Sequence, residues 1–78
     1  MPDPCAVLIH KATTYLNTQT AAWPVETIRV ALADPATREA TRRIDAAALA
    51  GDVQACTQAC RSWWKAILVH KPAPVDAV

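Results

Sequence analysis

The chain has 78 residues, with eight Lys and Arg against seven Asp and Glu and a formal net charge of +1. That length allows one domain with a small core, which excludes a multidomain enzyme, and the near-balanced charge selects neither a nucleic acid nor a membrane as partner. Alanine is the most frequent residue, with one Gly and no Phe; this favours helix over sheet, and no apolar run reaches the ~18 residues of a membrane span.

Asp3-Pro4 reads as a helix start: Asp accepts a free backbone N–H, and Pro lacks the N–H that would go unpaired at the first helical position. Cys5, Leu8, Ala12 and Tyr15 come next at helical spacing, flanked by Ile9 and Leu16, and the polar run Asn17-Thr18-Gln19-Thr20 breaks the pattern. The first helix is therefore expected over residues 4–17. Pro24 opens a second over 24–33, with Val25, Ile28 and Leu32 on its apolar side and Glu26 and Arg29 placed to pair outside. Asp34-Pro35 repeats the cap-and-proline device, so the turn into the third helix is very tight.

The third helix is expected over 35–50. Its first half is polar and its second is rich in Ala, with Ala40, Ile44 and Ala47 as a thin stripe of mostly small side chains. Gly51 stands where a helix end needs a left-handed residue, and Asp52 can cap the next helix. The fourth helix, over 53–70, carries the clearest stripe: Val53, Cys56, Cys60, Trp63 and Ile67, widened by Trp64 and Leu68. Pro72 and Pro74 stop it. The expected fold is an all-α, compact four-helix domain over residues 1–71, with a short mobile tail at 72–78.

Three cysteines, Cys5, Cys56 and Cys60, are an odd number, which speaks against a secreted disulfide framework. No signal segment opens the sequence, so a cytoplasmic location with free thiols is expected. Cys56 and Cys60 lie four apart on a helix and could join Cys5, His10 or His70 as zinc ligands or act as a redox pair. All three nevertheless fall on apolar stripes without a Cys-x2-Cys knuckle. They read as core, and no metal or cofactor is expected. His10 reads as solvated surface, and His70 as a cap at the end of the last helix. No nucleophile elbow, P-loop, metalloprotease motif or carboxylate pair is present, and an enzyme is not expected.

Two surfaces remain. Arg38 and Arg42, with Thr37 and Thr41 beside them, give the third helix a basic N-terminal half after a tight turn, which is the outline of a helix-turn-helix. Against it stand the lack of Gly in the turn, the acids Asp34 and Glu39 near the reading end, and a solvated face with an Arg42–Asp45 or Glu39–Arg43 pair as the plainer account. The second is the pair Trp63 and Trp64. Three Trp can fill a core of small residues, and Trp63 continues the stripe. Trp64 continues Thr57 and Arg61, so its edge faces outward. Trp64 and Leu68, bordered by Arg61 and Lys65, would make an apolar centre with a charged rim. Only Arg61, Lys65 and Lys71 would serve a membrane surface, too few to favour one. The expected function is protein–protein binding by a small accessory, adaptor or inhibitor protein, whose partner is another protein or a second copy of itself. The alternative is a small DNA-binding protein.

Overall fold

A computed structural model of the chain describes residues 3–73. It holds four helices, α1 (Pro4–Thr20), α2 (Val25–Ala33), α3 (Pro35–Ala50) and α4 (Val53–Leu68), and no strand among the described residues. Three of the four starts use an Asp. Asp3 accepts from the Cys5 N–H at 3.0 Å, Asp34 from Ala36 at 2.9 Å and Asp52 from Ala55 at 3.0 Å. Each satisfies an amide that the first helical turn leaves unpaired. Pro24 stands just before α2 rather than in it; its carbonyl accepts from Ile28, and no side chain caps this helix.

Gly51 ends α3 at φ 68°, ψ 22°. Its N–H donates to Ala48 at 3.2 Å, and the Asp52 N–H donates to Ala47 at 3.0 Å. This is the left-handed double closure that returns the chain into the next helix. α3 and α4 consequently run antiparallel and pack along their alanines.

Helix α1 outruns its expected end at residue 17 by three residues. The threonines that should have broken it donate their hydroxyls backward along the helix instead, Thr18 to the Thr14 carbonyl at 3.0 Å and Thr20 to Leu16 at 2.9 Å. Their side-chain polarity is thus satisfied without unwinding the backbone, and Thr20 is buried. Helix α4 stops two residues short of the expected 70. His70 and Lys71 donate to carbonyls three residues back, a tightening that brings the chain to Pro72. Of the expected tail at 72–78, residues 74–78 lie outside the described residues; Pro72 is half-buried.

Cys56 lies against the Cys5 backbone and Trp64 against Tyr15, so α1 and α4 run parallel, side by side. α3 packs against both, and α2 covers the far end of α3 and α4. The core has two parts. One joins Cys5, Ile44, Ala47, Cys56, Ala59 and Cys60. The other joins Leu16, Trp23, Ala31 and Ile67. Trp63 packs against both.

Three stripe assignments change. On α1 the buried line runs through Cys5 and Leu16, and Tyr15 stays 44% exposed. On α2 the buried residue is Ala31, with Ile28 half-buried; Val25 and Leu32 face outward, because a nine-residue helix lying across two others buries only the narrow strip that touches them. Val53, expected at the head of the α4 stripe, is 42% exposed. Cys56 is already level with the first turn of α1, so no part of that helix reaches Val53.

Candidate functional site

Helices α1 and α4 leave a shallow groove between their outer faces, with a volume of about 310 Å3. Leu8, Lys11, Ala12 and Tyr15 line one side, and Thr57, Cys60, Arg61 and Trp64 the other. Both sets follow the spacing i, i+3, i+4, i+7, which is one face of a helix over two turns. The groove is therefore the direct product of two parallel helices in register. Ala12 and Cys60 are the small residues at its centre. Tyr15 and Trp64 close one end as an edge-to-face aromatic pair, ring centroids 5.4 Å apart and planes at 68°.

The charges around this groove have one sign. The sequences of α1 and α4 contain Lys11, Arg61 and Lys65 and no Asp or Glu. Asp3 and Asp52 precede these helices as caps, their carboxylates bonded to backbone amides. The remaining acids of the described residues belong to α2, α3 and the turn between them. A net charge of +1 thus hides a segregated distribution.

Of the four residues expected to bind a partner, Trp64 and Arg61 line the groove, and Lys65 is exposed one turn beyond Arg61. Leu68 is half-buried and packs inward against the cluster of Leu16, Trp23, Ala31 and Ile67. Trp64 is half-buried, as is Trp63, but the two differ in surroundings: Trp63 lies between the two parts of the core, whereas Trp64 touches only one of them and borders the groove. Sequence reasoning missed Leu8, Lys11 and Tyr15. Their i, i+3, i+7 spacing on α1 is visible in the sequence, but the parallel register that sets them beside α4 is a tertiary fact.

The basic face of α3 is less available than its sequence suggests. Thr37 is 1% exposed and cannot reach a nucleic acid, which corrects its place among the candidate contacts. It points inward because it shares the buried face with Ala40 and Ile44. The Arg42 guanidinium donates to Glu39 at 2.7 Å, and Arg43 approaches the same carboxylate at 3.5 Å. Glu39 is held below the usual carboxylate range, chiefly by the Arg42 hydrogen bond. The Glu39–Arg43 pair was expected; Arg42 turns to Glu39 rather than to Asp45. Arg38 and Thr41 remain exposed.

The three thiols are free and buried in one cluster. Burial pushes all three up from the usual thiol range, so they stay protonated and poorly nucleophilic. Among the described residues no group of three or more His, Cys, Asp and Glu side chains is arranged to hold a metal ion. His10 is exposed, whereas His70 is tied down: its Nε2 lies 2.6 Å from Asp34 Oδ2, linking the end of α4 to the α2–α3 turn. No helix among the described residues is long and apolar enough to cross a membrane. No protein-family model, curated protein or solved structure matches this chain.

Proposed function

We propose that this chain is a small non-enzymatic helical protein that acts by protein–protein binding, as an accessory, adaptor or inhibitor, and that the α1/α4 groove is its contact surface. The observation that carries this reading is the half-exposed Tyr15–Trp64 pair at the end of an apolar groove edged by Lys11 and Arg61. Rigid aromatics beside a small-residue floor, with charge at the rim, are the composition of a binding hot spot. The test uses the intact chain as bait, with Trp64→Ala beside the parent. Loss of the bound protein, by ~2 kcal/mol or more, with unchanged helical circular dichroism is the expected result. Retention of the same partner by Trp64→Ala would move the contact elsewhere on the surface. DNA retained in a salt-dependent way and lost with Arg38→Ala would replace the groove by the α3 face.

A further inference from the structure

We infer that the occupant of the α1/α4 groove is an acidic amphipathic helix, which sets one large apolar side chain over Ala12 and Cys60 and lays its carboxylates on Lys11, Arg61 and Lys65. The inference rests on the binding reading just proposed and adds the chemistry of the partner. Three observations support it.

The first is shape. The groove extends over two helical turns of two parallel helices, about 10 Å, and small residues at the centre with larger ones around them make a hole for a knob. Its volume, about 310 Å3, is at the bottom of the range for small-molecule pockets and suits a single inserted side chain better than a cofactor.

The second is charge. Lys11 and Arg61 stand on opposite rims, and Lys65 continues the Arg61 rim one turn on. All three are exposed, and none has an ion-pair partner among the described residues. A ligand with carboxylates on both sides of its apolar stripe would complement this arrangement, steering the encounter and fixing its register.

The third is what the same features disfavour. A second copy docking by the same face would set Lys11, Arg61 and Lys65 against themselves, a like-charge contact in a two-fold interface. A single-stranded nucleic acid needs open aromatic faces for stacking, but Tyr15 and Trp64 are packed edge-to-face on each other.

The experiment titrates the intact protein with three synthetic helical peptides of one design, each with a single Leu stripe. The flanking positions are Glu in the first, Gln in the second and Lys in the third. Backbone amide shifts locate the site, and peptide anisotropy gives affinity. The Glu peptide is expected to bind about tenfold more tightly than the Gln peptide at low salt, with shifts centred on Leu8, Ala12, Cys60 and Trp64; the gap should close near 1 M salt, where charges are screened within about 3 Å. The double variant Lys11→Glu, Arg61→Glu changes only exposed side chains and should reverse the preference toward the Lys peptide. Equal binding of all three peptides in the groove would overturn the acidic-partner inference while leaving the groove as a protein-binding surface. No shift in the groove with any peptide would remove the groove itself. Oligo-dT binding there more tightly than the Glu peptide would make it a nucleic-acid surface, and concentration-dependent dimerisation through the groove would make the occupant a second copy.

Discussion

Thr37 is nearly inaccessible, and its hydroxyl is a buried polar group without a hydrogen-bond partner. Thr13, Thr18, Thr20, Thr41 and Thr57 all donate to the carbonyl four residues back. Thr37 has no such carbonyl within its own helix. Four residues back is Ala33, the last residue of α2, and the chain turns at Asp34 with ψ 131° before α3 begins. A desolvated hydroxyl without a partner costs about 1–3 kcal/mol, whereas an apolar group of the same shape costs nothing of the kind. Thr37→Val keeps the branched shape and removes the hydroxyl, so it should stabilise the domain by ~1 kcal/mol, read as a higher urea midpoint at unchanged slope. A lower midpoint would mean that the hydroxyl is hydrogen-bonded in solution.

The turn from α2 into α3 is held twice. Asp34 caps α3 through one oxygen and receives His70 from the end of α4 through the other. His70 can donate through Nε2 whether or not the ring is charged, so the carboxylate is the partner whose ionisation matters on the acid side. The His70 hydrogen bond, then the Ala36 amide, hold Asp34 below the usual carboxylate range. A carboxyl with a depressed folded pKa contributes its full stabilisation above the unfolded value, about 3.9, and loses it as pH falls through the folded value. Acid should therefore loosen the junction of α2, α3 and α4. Asp34→Asn retains a good helix cap but not the charge, and its stability should decline less steeply than the parent's over that acid window. Equal slopes in urea midpoints against pH would show that Asp34 contributes nothing to the acid transition.

The same turn marks the reach of sequence reasoning. Asp-Pro at 3–4 and 34–35, and Gly51-Asp52, act through bonds to residues two to five positions away, and each was legible as a boundary. The His70–Asp34 bond spans 36 positions and had no local signature. Tyr15 was placed on the buried side of α1 because residues four and three apart share a face; which edge of that face is covered depends on the parallel seating of α4. Val25 and Leu32 failed for the complementary reason: apolar spacing shows that a helix has a side, and only the packing of α2 shows how narrow its buried strip is.

The core is two clusters joined by one indole. The first, built on three cysteines, two alanines and Ile44, fastens the N-terminal halves of α1 and α4 to the C-terminal half of α3. The second gathers Leu16, Trp23, Ala31 and Ile67 where α2 and the α1–α2 connection close the opposite end. In the first cluster small side chains let the helices approach but bury little area each, and the second has larger side chains but only four buried residues. Their coupling therefore matters in a domain this small, where net stability is on the order of 0.05–0.15 kcal/mol per residue. Trp63 packs against both. It is half-buried, so Trp63→Ala should cost about 3 kcal/mol, the lower end for truncating a Trp in a core. The manner of the loss is the sharper test. With the indole gone, the α2 end keeps its own contacts and the His70–Asp34 bond but no longer shares a side chain with the cysteine cluster. Its amides should then exchange through a local opening well below the global free energy, while those around Cys56 and Cys60 still require complete unfolding. Trp64 touches only the second cluster, so Trp64→Ala should leave the two ends exchanging together. If the Trp63→Ala variant lost protection uniformly along the chain, the two clusters would be coupled through the helix backbones themselves, and the indole would be a filler rather than the joint.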